Sequence, residues 1–394
     1  MSNHISKKRR GFIAAVSIGA LAAFVLSACS TGATSNATSA NASHLPSTIK
    51  LVGIRDQTGV VSYTGVSAAK GTALAIKEIN DTAFLGDGVS VAVDELDSAF
   101  DPQVAAAAAT SALAAGGVTA LLGPQISSEA LAVAPIATAA QVPIVFTQSG
   151  VDGLLSGDFT FRASASQASI WPAATDHLIK SGAKTVSIFS SATNPTYHDL
   201  GTKVIPGLLD KGNVKTVSSF DLETSVTDFQ APVGRVVADK PDAVVVTLIG
   251  PQITTLVVQL RQAGYKGEIY VVNALVTKQF ESMGADGVGL IFPATFSPAN
   301  DADYSATFTK AFNAQFGVEP DAYAAEAYDQ TWWVAKAIKL AGSADPVAVA
   351  TALAEVGAQG FTGAQGPITF ENNDDARAKG VLVTWDGSKQ VIVK

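Results

Sequence analysis

The 394-residue sequence holds a single cysteine, Cys29, which excludes an internal disulfide. Its four histidines, at positions 4, 44, 177 and 198, are too scattered to form a metal cluster. No HExxH, CxxC, GxSxG or GxxxxGK[ST] pattern occurs, so these routes to metal, redox, acyl-transfer or phosphate chemistry are closed. "GADGVG" (284–289) has the wrong glycine spacing for a dinucleotide fingerprint. Carboxylates are plentiful, but no pair can be shown to converge. The expectation is a binder and not an enzyme, without cofactor or metal. Basic stripes are missing too: nothing after Arg10 resembles one, and the net charge is −8. Loss of residues 1–28 would remove Lys7, Lys8, Arg9 and Arg10 and no acid, leaving 22 basic against 34 acidic residues, or −12. So acidic a surface excludes nucleic acid as a partner.

Only one long apolar run is present, "GFIAAVSIGALAAFVL" (11–26), and it follows "KKRR" (7–10). At 16 residues it is shorter than the about 20 that a spanning helix needs. A charged stretch, an apolar stretch and small residues before a cut site describe a secretory leader over 1–28. Leu26-Ser27-Ala28-Cys29 resembles a bacterial lipobox, which implies that Cys29 becomes the lipidated first residue of an exported protein. It would sit on the extracytoplasmic face of the cell membrane, held by its lipid anchor. Residues 29–47, rich in Ser, Thr, Asn and Ala, cannot bury enough apolar surface to offset chain entropy and form a flexible tether.

The full sequence is 47% apolar in composition, and the remaining chain is long enough for two cores. Strand-like runs at 49–54, 89–96, 118–123 and 142–148 alternate with helical patterns at 67–80, at 102–115 and from Ser127 onward, where Pro135 suggests a kink. Asp101-Pro102 supplies an N-cap and a proline at the first helical position. The rhythm restarts after 161–167. Strands are expected at 184–191, 214–222, 242–250, 268–274 and 288–296, and helices near 167–181, 199–211, 227–239 and 251–264. Helices at 303–316, 322–341 and 346–356 and terminal strands with a turn at Asp386-Gly387 follow. Such alternation implies right-handed βαβ crossovers in parallel-rich sheets.

In open parallel sheets, ligands bind beyond the carboxyl ends of strands, where loops meet helix N-termini. "LLGPQISSEALAV" (121–133) is such a junction. Unpaired N–H groups and the helix dipole favour an anion there, and Ser127 and Ser128 would add hydroxyl donors. The alternative is that one serine is an ordinary N-cap.

"IKLVGIRDQTG", "GTALAIKEIN", "ALLGPQISSEALAVAPIA", "VPIVFTQS", "FR" at 161–162, "AEAYDQ" (325–330) and "GFTGAQGPITFENN" (360–373) occur in an order that resembles the branched-chain-amino-acid type of ABC-importer solute-binding proteins. The resemblance spans 49–394. It implies a type I periplasmic binding protein: an α/β fold of two Rossmann-like lobes joined by a three-crossing hinge. One lobe would comprise 48–163 plus 294–376, the other 164–293 plus 377–394. Such a protein would act as a monomer, close on a small-molecule ligand (amino acid, amide or related carboxylate) and present it to ABC permease subunits. A ligand-sensing module that reports to a signalling partner would use the same cleft.

Residue by residue, the resemblance puts Ser127 on a carboxylate contact, and Gln148, Ser149 and Gly150 on the second loop that holds the ligand. Tyr197 falls on an aromatic lid or packs internally, and His198 replaces a family glycine. Ile249 stands where relatives often have tyrosine. Asn273 replaces an acid that pairs with the ligand ammonium, which implies a ligand without one. Arg55 and Asp56 either read a polar ligand at the cleft edge or pair with each other. Tyr328 faces the cleft or belongs to the core, and Trp332 and Trp333 are packing residues.

Overall fold

The computed structural model describes residues 45–372 and 374–393. The expected leader (1–28), Cys29 and the tether up to residue 44 lie outside the described residues. Among the described residues no single helix is long and apolar enough to cross a membrane.

The chain begins with β1 (Thr48–Arg55), α1 (Ser62–Asp81), β2 (Ser90–Asp97), α2 (Pro102–Ala115), β3 (Val118–Leu122), α3 (Ser127–Ala139), β4 (Ile144–Phe146) and β5 (Thr160–Arg162). A second series follows: α4 (Gln167–Lys180), β6 (Thr185–Ser191), α5 (Pro195–Asp199), a π turn over Leu200–Val204, α6 (Ile205–Asp210), β7 (Lys215–Leu222) and α7 (Gln230–Asp239). It continues with β8 (Ala243–Thr247), α8 (Gly250–Gln262), β9 (Glu268–Val271), α9 (Thr277–Ser282) and β10 (Ile291–Ala294). Helices α10 (Asp303–Phe316), α11 (Ala322–Ala341) and α12 (Pro346–Gln359) precede β11 (Phe361–Gly363), β12 (Gly366–Glu371), β13 (Asp375–Arg377), β14 (Val381–Trp385) and β15 (Gln390–Ile392).

Two sheets result, ordered β11-β12-β13-β5-β4-β3-β1-β2 and β15-β14-β10-β9-β8-β6-β7. All pairings among β1–β5 and among β6–β10 are parallel, as is β5 with β13; β11, β12, β14 and β15 add antiparallel edges. Each sheet is the centre of one α/β lobe, and the chain passes between them after β5, β10 and β13. Central strands are buried along their whole length because helices cover both faces: every residue of β3 (VTALL) and β8 (AVVVT) is buried, one threonine in each included.

Helix starts follow local chemistry. The Asp101 carboxylate accepts from the Gln103 and Val104 N–H groups at 2.7 and 3.2 Å, with Pro102 at the first position of α2. Asp345 does the same for α12. Helix α11 lies tightly on α1: a Cβ at Gly71 would fall 2.0 Å from the Ala324 carbonyl oxygen, so only glycine permits that approach.

The expected strands and long helices are present, with three differences. The stretch "NPTYHDLG" is not a loop before a helix at 199. Asn194 accepts from the Tyr197 N–H at 3.2 Å and Pro195 opens α5, so helical structure begins four residues earlier. Strands β5, β11 and β13, of three residues each, and helix α9 have no periodic signal. The turn at Asp386-Gly387 spans residues 386–389, because the Asp386 carboxylate accepts from the Ser388 and Lys389 N–H groups at 2.8 and 2.9 Å.

Candidate functional site

Counted in its own chain order, each sheet runs 2-1-3-4-5 through its first five strands. In that order the crevice beyond the strand ends lies where the direction of winding reverses. This is between β1 and β3 in one lobe and between β6 and β8 in the other. Both crevices open onto one cavity. Loops after β1, β3 and β4 bring Val61, Tyr63 and Thr64, then Gln125, Ile126 and Ser127, then Gln148. The equivalent positions after β6, β8 and β9 bring Asn194, Thr196 and Tyr197, then Ile249, then Ala274, and Tyr323 of α11 completes the wall. The enclosed space is about 30 Å³, room for a water molecule or two.

Ser127 is the first residue of α3, preceded by Ile126, whose side chain cannot cap. Neither serine of the pair is therefore the N-cap. Instead the Ser127 hydroxyl meets the Thr196 hydroxyl across the cleft at 2.6 Å. The Gly150 N–H donates to the same Thr196 oxygen at 3.1 Å. On the other side, the Tyr63 hydroxyl donates to the Ala274 carbonyl at 3.0 Å. It lies against Gly250, the first residue of α8, where a Cβ would sit 2.2 Å from it. Burial raises the ionisation of Tyr63 well above its ordinary range, opposed by Gln279 and the Gly250 N–H.

Among the described residues no charged side chain lines the cavity. Behind Gln148 stands Glu326, whose carboxyl group meets the Gln148 amide and, at 2.5 Å, the Thr295 hydroxyl. Burial pushes Glu326 up to about 8, so it is a neutral acid at neutral pH. Gln148 holds this position from a left-handed backbone, φ +60°, uncommon for a residue other than glycine.

Of the residues expected from sequence, Ser127, Gln148, Tyr197 and Ile249 line the cavity. Gly150 contacts Thr196, and Ser149 ties two loops together by donating to the Gln125 and Pro124 carbonyls at 2.8 and 3.2 Å. Ser128 is half-buried and does not reach the cavity. Asn273 is buried beside Ala274, off the cavity wall, with its Nδ2 unpartnered.

Arg55 and Asp56 lie outside the site and do not pair with each other. Arg55 is fully buried and donates to Glu95 at 3.1 Å, Thr72 at 2.8 Å and Gln330 at 3.5 Å. Asp56 accepts from the Phe100 N–H at 2.6 Å and the Ser98 hydroxyl at 3.1 Å. Tyr328 turns away to donate to Glu78 at 2.5 Å and packs on Phe308, 4.9 Å between ring centres. Trp333 is fully buried and Trp332 packs at the edge of the same core. Tyr63, Gln125, Thr196 and Tyr323 were not foreseen. Gln125 lies two residues before Ser127 and Thr196 adjoins Tyr197, whereas the tyrosines sit in first helical turns with no local mark.

The periplasmic binding protein family model matches residues 48–389. The chain belongs to the periplasmic binding protein family. It is 27% identical over 350 residues to the Leu/Ile/Val-binding protein homolog 1 of Brucella abortus, covering 84% of this chain and 88% of the relative. The leucine-binding protein LivK of Thermotoga maritima superposes with a TM-score of 0.79 at 26% identity, covering 88% of this chain and 98% of that one. LivJ of Streptococcus pneumoniae, a branched-chain amino acid transporter substrate-binding protein solved with isoleucine, gives 0.79 at 25% identity, with 88% and 99% covered. Periplasmic binding proteins of this type are extracytoplasmic solute-binding components of ABC transporters, with the two-lobed fold seen here.

Proposed function

We propose that this chain is an exported solute-binding lipoprotein, anchored through Cys29, that captures a small polar ligand between its lobes and delivers it to an ABC permease. The lobes in this reading are residues 48–163 plus 294–376 and 164–293 plus 377–394. The observation that carries it is the cavity itself. Switch-point loops of both sheets converge on the N-terminus of α3, where Ser127 and free first-turn N–H groups suit an electron-rich group. The absence of any charged lining residue supports a ligand without a free ammonium: an amide, a urea-like compound or a carboxylic acid. An amino acid would have to leave its ammonium unpaired. The motif-free sequence and the solute-binding family both support binding without turnover.

Mass spectrometry of the compound released from purified protein tests the reading directly. Ser127→Ala is expected to weaken that compound's binding about tenfold to a hundredfold if it is a carboxylate, whose charged hydrogen bond is worth about 1.5–3 kcal/mol, and about twofold to tenfold if it is a neutral amide. Thermal stability should change little. Unchanged affinity would remove Ser127 from the site, and turnover of the compound would overturn the binder.

A further inference from the structure

Two hydroxyl groups cross the cleft in opposite directions, and each docks at the mouth of a helix in the other lobe. Thr196 of α5 reaches the start of α3, where its oxygen lies 2.6 Å from the Ser127 hydroxyl and accepts from the Gly150 N–H at 3.1 Å. Tyr63 of α1 reaches the start of α8 and donates to the Ala274 carbonyl at 3.0 Å. Both residues are held firmly. Asn194 and Pro195 fix the turn that carries Thr196, and Tyr63 packs edge-on against Tyr323, 6.0 Å between ring centres. Glycine is needed at the Gly250 end, and a larger residue would be tight at the Gly150 end. A Cβ at Gly250 would lie 2.2 Å from the Tyr63 hydroxyl, and one at Gly150 would lie 3.2 Å from the Thr196 methyl.

The Ser127 hydroxyl and the Gly150 N–H are thus both engaged by Thr196, while the first-turn N–H groups of α3 remain for a ligand. The remaining space, about 30 Å³, is too small for an amino acid, so a ligand of that size and the Thr196 contact cannot share the closed cleft. We propose that Thr196 and Tyr63 are positioning residues that form a reciprocal latch, holding the ligand-free cleft closed for part of the time. An incoming ligand must displace the Thr196 hydroxyl from Ser127 and Gly150, so these groups are preorganised for it. The proposal rests on the two-lobed reading above. It adds that closure is not created by the ligand but selected from a state the free protein already populates.

The test measures interlobe distances in the ligand-free full chain. Spin labels would be placed on exposed Gln103 and Lys278, in a Cys29→Ser background with Gln103→Cys and Lys278→Cys, and pulsed electron–electron resonance would record the distance distribution. Wild type should show a short-distance population. Thr196→Val and Tyr63→Phe each remove one hydroxyl with little change of shape. Each should lower the closed-to-open ratio about threefold to tenfold, as expected for one net hydrogen bond. The double variant should lower it further, and the thermal midpoints should stay near wild type. Gly150→Trp is the control, because its side chain would be driven into Thr196 and wedge the cleft apart. If the wedge lengthens the distances while Thr196→Val and Tyr63→Phe leave them unchanged, the latch is overturned and the hinge stands. If the folded wedge variant keeps the wild-type distribution, the two-lobed reading fails with it.

Discussion

Glu129 follows Ser127 by two residues on α3 and is fully buried, with neither carboxyl oxygen meeting a donor in hydrogen-bonding geometry. Asp56 faces it from the end of β1, its Oδ2 likewise unpaired while Oδ1 is held by Ser98 and the Phe100 N–H. Burial first, and the charge of Asp56 second, push Glu129 up to about 9, and burial raises Asp56 as well. A single proton shared between Asp56 Oδ2 and one Glu129 oxygen bridges two of the three orphaned oxygens and removes the repulsion between the two acids. Because the folded value of Glu129 lies above its unfolded one, its contribution to stability is complete below about pH 4.5 and is lost as pH rises toward 9. Glu129→Gln removes the titration and keeps the hydrogen bond. Its thermal midpoint should therefore fall less steeply than wild type between pH 6 and 9, a slope worth up to about 1.4 kcal/mol per pH unit. Parallel midpoints for the two proteins across that range would show that no proton is shared there.

At the scale of elements, the three passages between lobes depend on short strands. Strands β5 and β13 pair through Arg162 and Asp375. The Arg162 guanidinium holds the Asp375 carboxylate at 2.6 and 2.7 Å and donates to the Ser149 carbonyl at 3.0 Å. This buried pair links the first and third passages to the loop that carries Gln148. Breaking a buried pair leaves a desolvated charge, so Arg162→Met should cost about 3 kcal/mol in denaturant unfolding, the low end of the range because Arg377 still holds Asp375 at 2.6 Å. The double variant with Asp375→Leu should recover much of the loss. A single variant as stable as wild type would show that the pair is not structural. These elements also mark where sequence reading ends. Runs such as "VTALL" and "AVVVT" declare themselves because both faces of a central strand are buried. "TFR", "FTG" and "DAR" are strands only through partners far along the chain. The site divides in the same way. The junction of β3 with α3 pointed to Ser127, and the family pattern to Gln148 and Tyr197. Arg55 and Asp56 looked like cleft residues because charge near a strand end suggests a ligand, whereas burial had already committed both to internal partners. Tyr63 and Thr196 have roles set only by the approach of the opposite lobe.

For the molecule as a whole, the decisive quantity is the charge that the two lobes enclose together. Relatives named for leucine, isoleucine and valine share the fold, yet this cavity presents hydroxyls, amides and aromatic rings and no ionised side chain. Glu326 stands behind Gln148 as a neutral acid below about pH 8, and Asn273 offers an amide. Enclosing an unpaired ammonium costs several kcal/mol, so three ligands with the same branched body but different ends should separate clearly. In a thermal-shift experiment at pH 6.5, 4-methylpentanoate and 4-methylpentanamide should stabilise the protein more than L-leucine does. Saturation at a hundred times Kd corresponds to about 2.7 kcal/mol, a shift of several degrees. If leucine gives the larger shift, and that shift grows as pH rises past 8, then ionised Glu326 is the counter-charge for an ammonium. The ligand would then be an amino acid after all, with its proton released from Glu326 as the lobes close.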